Sequence, residues 1–90
     1  MSHDKFFNML NKVPRLVDLW DKEKEEMHEA LFDAELNTLS SGEVQMAKFF
    51  AAVWLGSNTK YGFDLVDAVK QVDAAKKDLI MEWVRAPFWP

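Results

Sequence analysis

The stretch Leu39-Ser40-Ser41-Gly42-Glu43-Val44 constrains the fold more than any other part of the chain. Ser40 followed three residues later by Glu43 forms a capping box. In it the serine oxygen and the glutamate carboxylate each answer a backbone N–H that a helix start would otherwise leave unpaired, and Leu39 and Val44 take the flanking staple positions. A helix is therefore predicted from Ser41 through Leu55, with Gly56 as its stop. Between Val44 and Leu55 only Gln45 and Lys48 are strongly polar. A helix apolar nearly all round belongs in the middle of a fold, so 41–55 is expected to be the central element.

The other segments are read around it. Phe6, Leu10 and Val13 follow helical spacing behind a cap at Ser2 or Asp4, and Pro14 interrupts them. A second helix is predicted from about Arg15 to about Thr38, with Leu16, Trp20, Met27, Leu31 and Ala34 on one face. One inward slot in that stripe falls on Glu23 or Lys24, so a bend or an exposed middle is expected there. Gly56 to Gly62 reads as the main loop. From Asp64 onward, Leu65, Val69, Val72, Lys76, Leu79, Trp83 and Ala86 mark an inward stripe, with a break favoured at Asp73. Pro87 ends helicity and leaves Pro87-Phe88-Trp89-Pro90 as an apolar tail. No run of alternating β-branched residues and no Asn-Gly or Asp-Gly turn is present, so no strand is predicted. The expected fold is all-α, a compact bundle of four or five helices forming one domain over residues 1–90.

Composition bounds the function classes. With no cysteine, disulfides and Cys-based zinc sites are excluded, and a reducing cytoplasm is the expected compartment. The amino-terminal residues lack the apolar stretch of a signal peptide, and the most apolar run, Phe49 to Leu55, is too short to span a bilayer. Net charge of −4 runs against the basic footprint of a nucleic-acid binder. A helix-turn-helix reading over Ser57 to Asp64 and the helix beyond is the runner-up. It would put Asp64 and Asp67 at the start of the recognition helix, where they repel phosphates.

Site chemistry is sparse. Glu25-Glu26-Met27-His28 contains Glu-x-x-His, the helical spacing used by di-iron bundles, but no second copy exists and the other histidine is His3. None of Ser2, Ser40, Ser41 or Ser57 lies in a nucleophile elbow, and no glycine-rich phosphate loop occurs. No enzyme, no cofactor and no metal is expected.

Two surface features remain. From Asp18 to Glu35 eight acidic residues stand against Lys22 and Lys24, a local charge of 2 − 8 = −6. Within it Glu25, Glu29 and Asp33, four residues apart, would form one like-charge stripe on a helix. Such a stripe is either a solvated outer face or a docking surface for a basic partner protein. The second feature is the tail. Phe88 and Trp89 either fold back over the core or anchor another chain. Phe6 and Phe7 pose the same question, since adjacent residues are not expected to face one core. Trp20, Trp54 and Trp83 lie on apolar stripes and are expected to pack inside.

Gly42, Phe49, Trp54, Phe63, Asp64, Leu65 and Asp73 give the stretch 42–87 a pattern: a glycine leading into an apolar helix that ends near a Trp, then Phe-Asp-Leu opening the next helix. In that pattern it resembles small helical domains of unknown function carried by bacterial phages and plasmids. The resemblance implies an accessory protein of a mobile element and carries over no catalytic residue. The expected function is a non-enzymatic protein-interaction module acting through Glu25, Glu29 and Asp33, through Phe88 and Trp89, or through both. Homodimerisation is an expected companion, because seven Phe and four Trp are many for 90 residues to bury.

Overall fold

The computed structural model describes residues 2–90, the side chain of Ser2 excepted. Among them five α-helices, one 3-10 helix and one pair of two-residue strands follow in the order α1 (Ser2–Leu10), the 3-10 helix (Pro14–Leu19), β1 (Trp20–Asp21), β2 (Glu26–Met27), α2 (Glu29–Glu35), α3 (Ser41–Leu55), α4 (Leu65–Gln71) and α5 (Ala74–Arg85). The fold is mostly helical, as expected, with a small strand pair that the sequence did not announce.

Helix α3 starts where its capping box places it. Ser40 Oγ accepts from Glu43 N at 3.3 Å, and Glu43 Oε1 accepts from Ser40 N at 2.9 Å. That second bond, from the Ser40 backbone, is the main reason the Glu43 carboxyl titrates below its ordinary range. Gly56 ends the helix at φ 65, a left-handed turn that costs a glycine nothing. The break at Asp73 is also real: its carboxylate caps α5 by accepting from Lys76 N at 3.0 Å, and Asp64 caps α4 in the same way at 2.9 Å. A cap at Ser2 falls outside the described side chains. Asp4 sits inside the first turn of α1 rather than ahead of it.

Two faces of α3 receive the two ends of the chain. Phe50 and Trp54 meet Phe6 of α1 and Trp20 of β1, with ring centroids 4.9–6.4 Å apart. On another face Phe49 meets Phe63 at 5.6 Å and Trp83 of α5 at 5.7 Å. The carboxyl end of α4 lies so close to the start of α3 that a Cβ on Gly42 would stand 2.9 Å from the Gln71 carbonyl oxygen. Phe6 and Phe7 are both buried, against expectation. Phe6 points at the core, and Phe7 packs edge-on against both Phe6 and Trp54, so α1 is covered over more than one face.

The predicted second helix is the main correction. Its place is taken by the 3-10 helix, the strand pair and the short α2. A continuous helix would have left six charged residues, Asp21 to Glu26, between Trp20 and Met27, with one charge forced inward. The hairpin avoids this. Its register sets Trp20 directly opposite Met27, Asp21 Oδ1 accepts from Lys24 N at 3.0 Å, and the charges turn outward. Trp20 thereby enters the core, and Glu25 absorbs the tight turn at φ 53.

Candidate interaction surface

The hairpin disperses the acidic stripe. Glu25 leaves the helix and lies 3.1 Å from His3 Nδ1, while the His3 ring stacks on Trp54 at 5.3 Å. The Glu25-x-x-His28 pair therefore shares no helix face, and His28 only precedes α2. Glu29 and Asp33 remain on α2, one turn apart, and both hold the loop between α3 and α4. Lys60 Nζ donates to Glu29 Oε2 at 2.9 Å, and Tyr61 Oη donates to Asp33 Oδ1 at 2.7 Å, with the Tyr61 ring 4.6 Å from Phe32. Burial, followed by the Asp33 hydrogen bond, raises the Tyr61 hydroxyl above its ordinary value, and the Glu29 bond raises the Lys60 ammonium. Farther along, Glu35 binds Arg15 Nη2 at 2.8 Å; that bond and one from Thr38 hold its carboxyl below the usual range. These carboxylates tie the fold together; they do not form one stripe.

The tail folds back. Trp83 Nε1 donates to the Phe88 carbonyl at 2.9 Å, and Phe88 is partly buried beside Met9 and Leu79. The strap turns Trp89 the other way, edge-on to Trp83 at 5.5 Å, with 55% of its surface exposed. Trp89 also reaches Gly56, where a Cβ would meet its Cδ1 at 3.4 Å. It thus walls an open apolar groove of about 330 Å³ between the end of α3, the start of α4, and α5, lined chiefly by Phe49, Phe63, Leu65, Trp83, Val84 and Trp89.

The groove continues onto the surface. Among the described residues eight large apolar side chains are exposed, and six of them fall between 65 and 89: Leu65, Val66, Val69, Met81, Val84 and Trp89. Of these Leu65, Val84 and Trp89 line the groove, while Val66, Val69 and Met81 lie elsewhere on the exposed surfaces of α4 and α5. Val72 is buried as expected, but Leu65 and Val69, expected inside with it, are exposed because α4 turns Ala68 inward instead. The signal was present: Leu65, Val66, Ala68, Val69 and Val72 are apolar around more of the helix than one buried face needs.

The groove's chemistry is limited. Its polar members, Ser57 and Asn58, are used locally: Ser57 Oγ bonds Thr59 Oγ1 at 3.0 Å and Asn58 Nδ2 donates to the Phe63 carbonyl at 2.7 Å. Among the described residues two buried side-chain polar atoms lack a partner, Trp20 Nε1 and Gln45 Oε1, and neither residue lines the groove. Among the described residues no group of three or more His, Asp or Glu side chains is placed to hold a metal, and no helix is long and apolar enough to cross a membrane.

Two other clefts are less open to a partner. One of 360 Å³ between α1 and α5 is floored by the chain's own Phe88. Another of 430 Å³ lies where the starts of α3 and α5 meet, and the capping carboxylates of Glu43 and Asp73 already occupy the helix-end field there. No family model, curated protein or solved structure matches the chain.

Proposed function

We propose that the protein is a non-enzymatic interaction module of the cytoplasm that binds and modulates another protein through its aromatic tail and the groove that the tail walls. One observation carries the reading: three exposed apolar side chains, Leu65, Val84 and Trp89, line an open groove whose polar side chains, Ser57 and Asn58, already bond within their own loop. A volume of about 330 Å³ sits at the bottom of the usual range for small-molecule sites, and it suits a few apolar side chains of a partner. The engagement of Glu29 and Asp33 with the chain's own loop favours the groove over the acidic face. Within this reading, the resemblance of residues 42–87 to phage- and plasmid-borne domains makes the partner a host protein.

The test is capture from a lysate of the native host on immobilised wild-type protein, Leu65→Asp, Val84→Asp and Glu25→Lys. Leu65 and Val84 line the groove and are exposed, so the variants keep their fold, which circular dichroism checks. The reading predicts a protein retained by wild type and by Glu25→Lys but lost from Leu65→Asp and Val84→Asp. Identical retention by all four proteins contradicts it.

A further inference from the structure

We propose that the cleft between α1 and α5 binds a small apolar carboxylic acid, whose carboxylate is held at the α1 wall by Lys5 and Lys12. The proposal is independent of the partner groove, which shares only Trp83 with this cleft.

The two walls differ in charge. Lys5, Met9 and Lys12 are spaced by four and three, and Lys12 N donates to the Met9 carbonyl at 3.1 Å, so α1 and the turn after it set all three along one wall. Helix α5 supplies Leu79, Glu82 and Trp83 to the facing wall. Phe88 forms the floor, fixed there by the bond from Trp83 Nε1 to its carbonyl. Two lysines thus stand against one carboxylate, Glu82, in a chain whose net charge is −4. Among the described residues none of these three forms an ion pair. Asp4 and Asp78, the acids nearest in sequence to Lys5 and Glu82, do not line the cleft; Asp78 lines the adjoining one, where Lys76 is bonded to Asp73.

The ligand's chemistry follows from that division. An acid with an apolar body covers Met9, Leu79, Trp83 and Phe88 while its carboxylate meets the lysines and avoids Glu82. A neutral molecule of the same shape leaves both ammonium groups unused, and a cation meets them as like charges. The volume of 360 Å³ lies within the range of small-molecule sites, about 300–1,000 Å³, which combine an apolar lining with a few polar groups that fix orientation. The partner groove lacks the second feature, because Ser57 and Asn58 bond within their own loop.

The experiment titrates the full, isotope-labelled chain with naphthoate, naphthalenemethanol and naphthylmethylammonium, followed by amide chemical shifts. Naphthoate is expected to bind tighter than the alcohol by about fivefold or more at low salt, with the ammonium weakest and the gaps closing as salt rises. Its shifts should centre on residues 5–12 and 79–88. The variant K5Q/K12Q is expected to erase the preference for the acid. Glu82→Gln removes the carboxylate from the facing wall and is expected to enlarge that preference. All three side chains are exposed, so these variants keep their fold. Leu65→Asp, in the partner groove, should leave the acid's affinity unchanged. Equal affinity for acid and alcohol, a preference that survives K5Q/K12Q, or no binding up to the solubility of the probes would overturn the proposal. So would shifts centred on residues 56–65 that Leu65→Asp abolishes, which would put the probe in the partner groove instead.

Discussion

Removing the Tyr61 hydroxyl and the Asp33 carboxylate separately and together isolates the clamp that turns an acidic surface into a structural one. The bond is short, 2.7 Å, and its acceptor is a carboxylate on α2 twenty-eight residues away in sequence. Hydrogen bonds to charged groups contribute about 1.5–3 kcal/mol where solvent is excluded. Here Asp33 is exposed and Tyr61 half-buried, so screening reduces the expectation to about 1 kcal/mol of coupling. Tyr61→Phe keeps the ring against Phe32, and Asp33→Ala removes the acceptor. In a urea-denaturation cycle the double variant should be no less stable than the worse single variant, leaving a coupling of about 1 kcal/mol, worth about 4–8 °C in melting temperature for a domain this size.

A spectroscopic arm accompanies it, because Tyr61 is the chain's single tyrosine. Burial and Asp33 raise its folded-state value above the ordinary one, so the associated stability is present below about pH 10 and lost as pH rises through the folded value. Asp33→Ala should bring the tyrosinate titration back toward the ordinary value. Coupling within about 0.3 kcal/mol of zero, with an unmoved titration, would refute the clamp.

Other perturbations test other joints. Ser40→Ala should cost about 1 kcal/mol in chemical denaturation by opening the capping box. Glu43 and Asp73 both titrate below their ordinary values through backbone hydrogen bonds, so their stabilisation is present above about pH 4 and lost as pH falls through the lower folded values; thermal melts should show Glu43→Gln flattening that acid-side loss. Gly42→Ala should destabilise by about 1–3 kcal/mol despite alanine's better helix propensity, since the new Cβ meets a backbone oxygen at 2.9 Å that no rotamer change can move; a higher melting temperature would contradict the packing of α4 on α3. Trp83→Phe should release the tail, read as increased quencher access to Trp89, because the indole N–H that holds the Phe88 carbonyl is gone.

The elements legible in the sequence are those decided by local backbone chemistry. Ser40 with Glu43, Gly56, Asp64 and Asp73 each answer an orphan N–H or permit a left-handed turn within a few residues, and the structure uses all of them. The hairpin was illegible for the opposite reason. Leu16, Trp20, Met27 and Leu31 satisfy helical spacing almost throughout, and only the cost of one inward charge near Glu23 argues against a helix. That cost is tertiary, because it depends on Trp20 reaching Phe50 and Trp54 across the core.

The candidate surface was half legible. The sequence leaves both fates open for Phe88 and Trp89, and the fold divides them: Phe88 turns in and Trp89 stays out. The spacing of Leu65 and Val69 says that they share a face, but periodicity alone does not say which face the neighbouring α3 will cover.

Amide chemical-shift mapping of the labelled protein, titrated with the protein that the wild-type chain retains from host lysate, tests the central claim most directly. Shifts confined to residues 63–70 and 80–89, with residues 25–33 unmoved, are the predicted result. Shifts centred on Glu25, Glu29 and Asp33, or no shifts around the groove, would contradict the account.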